Sequence, residues 1–198
     1  TLNNTTTYTV TGTTTVSGGT VNFNNTAPIN FGGPLVVSAG TLDGSANLSE
    51  ANAFTWSGGT IQGTGTLTTT GTAANVPALS NSLTLGRPWN ATSGFNYTGG
   101  AAGTFTVNNT LTTSAATSVN NTGATAITGT GTFTSGATLT NAGAGTLTIS
   151  TTGGFNNASS VTVTNPITIA VGTTPVTGTD SANYTVDSTL SFTGGTRN

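Results

Sequence analysis

The motif TVSGGTV at residues 15–21 returns as TWSGGTI at 55–61, as NYTGGAA at 96–102 and as SFTGGTR at 191–197. Gly18, Gly58 and Gly99 stand 40 and 41 residues apart, and Gly153 to Gly194 is again 41. From Gly99 to Gly153 the interval is 54, so one unit carries an insertion or a slip of register. Around these glycines lie short alternating runs: TYTVTG (7–12), TTTVSG (13–18), TVNFN (20–24), GTLTTTG (65–71), GTFTVNN (103–109), GTFTSG (131–136), GTLTIS (145–150) and VTVTNP (161–166). Their period of two marks each as a strand. No segment carries a 3.6-residue period, and glycine interrupts every window long enough for a helix.

A period near 40 made of short strands and tight Gly or Asn turns predicts two coils of a β-solenoid, each of about 20 residues in three strands. One coil cannot bury its inner face alone, whereas stacked coils bury it and pair each backbone N–H and C=O with the coil above or below. The expected fold is therefore all-β, a right-handed parallel β-helix, with an antiparallel β-sandwich as the alternative because it also spaces turns every 8 to 12 residues. Residues 1–169 are expected to form the repeat domain. The final stretch, 170–198, matches the repeat less well and is expected to be a cap or a final coil.

Composition narrows the chemistry. Of 198 residues only 2 are Lys or Arg and 4 are Asp or Glu, and there is no His, Cys or Met. Thr alone makes up about a quarter of the chain, against ordinary usage dominated by Leu, Ala and charged residues. Disordered chains are usually charged and poor in β-branched residues, so this Thr- and Val-rich pattern reads as ordered. A net charge of −2 offers no basic stripe for phosphates, which argues against nucleic-acid binding. No apolar run is long enough to insert in a membrane as a helix. Without cysteine there is neither disulfide nor thiolate chemistry.

The segments TTTVSGGTVNFNNTA (13–27), FTWSGGTIQGTGTLTTTG (54–71), LTLGRPWNATSGFNYTGG (83–100) and TGTGTFTSGATLTNAGAGTLTI (128–149) resemble the degenerate repeats of large secreted bacterial β-solenoid proteins, the autotransporter-passenger and filamentous-haemagglutinin-like surface proteins. The resemblance spans most of residues 7–164. It implies a parallel β-helix serving as a surface fibre or adhesive stalk, extracellular or at the cell surface.

Catalysis has little to work with. Asp43, Glu50, Asp180 and Asp187 are the carboxylates, and the seven residues within each pair carry an extended chain beyond the roughly 5–10 Å that glycoside hydrolysis needs, unless a turn folds it back. No enzyme activity and no cofactor is expected. GTDSANYTVDST (178–189) brings Asp180, Asn183 and Asp187 close in sequence, but the repeat-type calcium motif is unmatched and no metal site is expected. Asn-x-Ser/Thr triplets mark Asn3, Asn4, Asn24, Asn47, Asn90, Asn96, Asn108, Asn120, Asn157 and Asn183 as N-glycosylation acceptors by motif, though chance alone generates many in so Ser- and Thr-rich a chain. GRPWN (86–90) places Arg87 beside Trp89 near Tyr97, a candidate bulged loop for stacking on surface glycans, with core packing of the rings as the plainer reading. Thr-x-Thr pairs at 66–68, 104–106, 110–112, 132–134, 138–140 and 146–148 have the chemistry of an ice-matching face, but their spacings are irregular and the intervening Leu or Phe is better placed inward as core.

The runs TLNNTTTYTVT (1–11) and STLSFTGGT (188–196) contain neither Lys nor Pro, two of the usual guards of an exposed sheet edge. The expected function is a structural subunit of an extracellular fibre or stalk, its partner being another copy joined by coil stacking or a donated strand. A carbohydrate- or surface-binding adhesin module is the alternative.

Overall fold

In FTW (54–56), LTT (67–69) and TFTV (104–107), every second residue is buried and the one between is partly exposed, as a half-buried pleated strand requires. The computed structural model describes residues 1, 3, 5–6, 8–76, 82–98, 103–158, 160–163, 165–170, 183–186 and 190–193. Among these the chain forms twenty-four strands and no helix. In chain order they are β1 (Tyr8–Val10), β2 (Thr14–Asn22), β3 (Ile29–Phe31), β4 (Leu35–Asp43), β5 (Leu48–Glu50), β6 (Phe54–Trp56), β7 (Gly59–Ile61) and β8 (Leu67–Thr69). There follow β9 (Ala74–Val76), β10 (Ser82–Leu85), β11 (Trp89–Ala91), β12 (Phe95–Tyr97), β13 (Thr104–Val107), β14 (Thr110–Thr113), β15 (Thr117–Val119) and β16 (Thr125–Gly129). The last eight are β17 (Thr132–Ser135), β18 (Leu139–Asn141), β19 (Leu147–Thr151), β20 (Phe155–Asn157), β21 (Ser160–Val163), β22 (Ile167–Ala170), β23 (Asn183–Val186) and β24 (Leu190–Thr193).

Successive strands do not pair with each other. Each pairs in parallel with strands one coil away, which makes the molecule a β-solenoid of about seven turns and excludes the sandwich. The first face stacks β1, β3, β5, β8, β11, β14, β17 and β20. A second face runs from β6 through β9, β12, β15, β18 and β21 to β23, and a third from β7 through β10, β13, β16, β19 and β22 to β24. The nine-residue strands β2 and β4 bend across both, so β4 pairs with β6 through Leu35–Val37 and with β7 through Thr41–Leu42. Coils lie about 22 residues apart, slightly more than the 20 expected, with intervals as short as 19 where Thr66 bonds to Asn47.

The bend between the second and third faces explains the motif that opened the sequence. Gly19, Gly40 and Gly59 all have positive φ there, at 62, 72 and 83°. A side chain at Gly40 would also bring its Cβ to 2.5 Å from the carbonyl oxygen of Gly19 in the coil below. VSGGTV (16–21), VSAGTL (37–42) and WSGGTI (56–61) are thus three consecutive coils, and the 40-residue period counts every second one.

Large side chains fill the lumen in register: Ile29, Leu48, Leu67, Trp89, Leu111 and Phe133 form one inward column on the first face. Between the coils of Phe54 and Phe133 the rings touch across the lumen, with Phe54 and Trp89 centroids 5.5 Å apart, Trp56 and Phe105 5.3 Å apart, and Tyr97 stacked on Phe105 at 6.3 Å. Of the expected 170–198 unit, Ala170 closes β22, and β23 and β24 extend the second and third faces by pairing with β21 and β22; Asp180, Asp187 and the remainder lie outside the described residues.

Candidate functional site

Arg87 occupies the corner between β10 and β11, and its side chain points down the inside of the coil rather than out. It is 0% exposed. Its Nε–H donates to the Gly65 carbonyl at 2.7 Å, and Nη2 donates to the carbonyls of Ala46 at 2.8 Å and Gly44 at 3.2 Å. The guanidinium therefore ties together three successive coils, and it fits because the positions beneath it are Gly or Ala. Burial pulls its pKa down to about 10, against a smaller opposing pull from Asp43, so it stays charged at neutral pH.

Trp89 and Tyr97 are equally enclosed. The Trp89 Nε1–H donates to Thr69 Oγ1 at 3.1 Å, and the ring lies against Phe54, Trp56 and Phe95. Tyr97 has no described hydrogen-bond partner for its hydroxyl, and burial pushes its pKa up to about 12. A sugar platform needs an open ring face. Arg87, Trp89 and Tyr97 present none, so their reading as a glycan-binding loop gives way to the plainer one, core packing. Their sequence neighbourhood misled because a Gly-Arg-Pro corner looks like an exposed loop, while the inward pitch of Arg87 depends on the coils beneath it.

The carboxylates stand apart. Asp43 closes β4 on the third face, where Oδ2 accepts from Gln62 Nε2 at 2.8 Å and Oδ1 from the Gly44 N–H at 2.6 Å; these bonds lower its pKa, chiefly the one from Gln62. Glu50 closes β5 on the first face, 1% exposed, with Oε1 accepting from the Asn52 N–H at 2.6 Å and Oε2 unpaired among the described residues. Burial raises its pKa. No group of three or more His, Cys, Asp or Glu gathers among the described residues.

The glycosylation triplets sort by geometry. Asn24, Asn47, Asn90, Asn96, Asn108 and Asn120 are exposed, and several brace the next coil: Asn47 Oδ1 accepts from the Thr66 N–H at 2.9 Å and Asn24 Oδ1 from the Ser45 N–H at 3.2 Å. Asn157 is 1% exposed and faces inward, which corrects its assignment as an acceptor. The side chain of Asn183 and the whole of Asn4 lie outside the described residues.

A shallow open depression of about 240 Å³ is lined by Gly103, Thr104, Ala124, Thr125, Ala126 and Thr148, none of them ionisable. The geometry thus defines a class, a Thr-rich parallel β-solenoid with a packed lumen and a nearly uncharged surface. No family model, no curated protein and no solved structure matches the chain.

Proposed function

We propose that the chain is a structural segment of an extracellular or cell-surface fibre or stalk, and that copies of it join through main-chain pairing at open coil edges. The observation that carries this reading is the uninterrupted parallel ladder: each coil offers the next a full set of backbone donors and acceptors, and elongation needs no other chemistry. Among the described residues, β1 and β2 pair only on the side toward β3 and β4. The Gly32 N–H donates to the Val10 carbonyl, and the Thr14 N–H to the Pro34 carbonyl. Residues alternate along a strand, so the N–H groups of Thr9 and Thr15 point to the open side. An incoming strand would meet them first. The likeness to secreted surface solenoids supports the location, and the scarcity of Lys and Arg suits exposure to proteases that cut at basic residues.

Thr9→Pro with Thr15→Pro tests it, because proline removes those two outward donors while leaving the ladder to the next coil intact. Electron microscopy of the purified chain should show filaments with an axial repeat of about 4.8 Å, and the double variant should remain as single particles. Single particles from the unmodified chain at all concentrations would end the proposal. The adhesin alternative has lost its aromatic platform, and no other observation favours it.

A further inference from the structure

We propose that the third face of the solenoid binds ice. Its outward residues form two ranks. In the first, Thr20 pairs with Thr41, Thr41 with Thr60, Thr60 with Thr84, Thr84 with Thr106, Thr106 with Thr128 and Thr128 with Ser150. Six consecutive coils place threonine at one position and the seventh places serine there. Two residues earlier on the strands from β10 to β22, Ser82, Thr104, Ala126, Thr148 and Thr168 form a shorter second rank; the same position in the three preceding coils is Gly18, Ala39 and Gly58. From Thr41 onward the pairing runs without a register shift, although coil lengths differ, because the corners absorb the extra residues. The ranks therefore make a grid of about 4.8 Å along the solenoid axis by about 6.6 Å along the strands.

Leu83, Phe105, Ile127 and Ile149 between the ranks are buried and hold the strands from within, while Ala126 leaves the second rank shallowly recessed between Thr104 and Thr148. The other faces lack this regularity. On the first face the corresponding outward column reads Asn30, Ser49, Thr68, Asn90, Thr112, Thr134 and Asn156. On the second it reads Val36, Thr55, Asn75, Asn96, Ser118, Thr140 and Thr162.

The occupant follows from what the grid lacks. Neither rank contains a charged side chain, so phosphates and ionic minerals have nothing to pair with; Asp43 stands at the margin, already bonded to Gln62 and Gly44. No ring is offered for sugar stacking and no apolar anchor for a protein partner. A neutral, two-dimensional array of weak donors, acceptors and methyls complements a neutral, two-dimensional array of water, where many small contacts add up and no pocket is needed. This inference stands apart from the stalk reading and holds whether the chain is single or assembled.

Ice-crystal imaging with nanolitre osmometry tests it on the purified chain. Faceted crystals and a gap between melting and growth temperatures are expected, and Thr84→Tyr with Thr106→Tyr should remove both while Thr112→Tyr with Thr134→Tyr on the first face removes neither. Circular dichroism melts establish that both variants fold. Should the third-face variant unfold, Thr84→Val with Thr106→Val takes its place, keeping shape and removing the hydroxyls, and it should narrow the gap. Rounded, unshaped crystals with the unmodified chain overturn the proposal, as does equal loss from the first-face variant. Sedimentation showing copies paired through the third face, released by the tyrosines, overturns it in favour of self-association.

Discussion

Tyr97, Arg87 and Glu50 are three buried polar side chains whose burdens differ, and substitution separates them. The Tyr97 hydroxyl is enclosed without a described partner, a state that costs free energy. Tyr97→Phe keeps the stacking on Phe105 and should raise stability by about 1 kcal/mol in a denaturant melt; a loss of that size would show that the hydroxyl is satisfied. Arg87→Met removes three charge-assisted bonds and leaves the carbonyls of Ala46 and Gly65 short of a donor, while that of Gly44 keeps the Thr64 N–H; the change should cost about 2–4 kcal/mol. Lysine is no substitute, because one ammonium cannot span three coils as a planar fork does. Glu50 has a raised pKa, so its folded form binds a proton more readily than the unfolded chain. Its contribution falls as pH rises from the ordinary carboxylate range through the raised value, and Glu50→Gln should abolish that decline. Melts of Glu50→Gln that still weaken over the same window would assign the decline elsewhere.

At the scale of the element, the bend joining the second and third faces is the most constrained local structure. Gly40 has positive φ and its missing Cβ lies against the Gly19 carbonyl, so Gly40→Ala combines a backbone penalty of about 1–2 kcal/mol with a steric one. Chemical denaturation should register at least 2 kcal/mol of loss. By contrast Gly18, with nothing near its absent Cβ and no positive φ, should tolerate alanine with little change, although it directly precedes Gly19 in the same bend motif. Equal losses at the two sites would contradict the geometry.

For the whole molecule, pH should matter little. The two described carboxylates act with opposite sign: Glu50 favours the fold at low pH, while Asp43, with a lowered pKa, contributes stability above the ordinary carboxylate value that is lost as pH falls through its folded one. With no histidine in the chain, Glu50 is the described side chain whose titration is shifted upward toward neutrality. In the Glu50→Gln variant, thermal midpoints between about pH 6 and pH 7 should therefore coincide, above the reference carboxylate values and below the reference α-amino value. A midpoint that moves by many degrees in that range would require an ionisable interaction these residues do not supply.

The amino-acid sequence determined the strand content, the inward place of Leu, Phe and Val between hydroxyl residues, and the stacking of coils, because a period of two and a longer repeat are local signals that survive in one dimension. Leu67, Phe105, Leu111, Phe133, Leu139 and Leu147 are all buried between their outward threonines. Tertiary structure alone decided which outward residues share a face. The conspicuous Thr-x-Thr pairs are scattered over all three faces, whereas the unbroken column from Thr20 to Thr128 joins residues 19 to 24 apart and looks irregular along the chain. It likewise turned Arg87 inward, since a long side chain goes where the coils beneath it leave room and carbonyl oxygens, and those coils lie two turns back in the sequence.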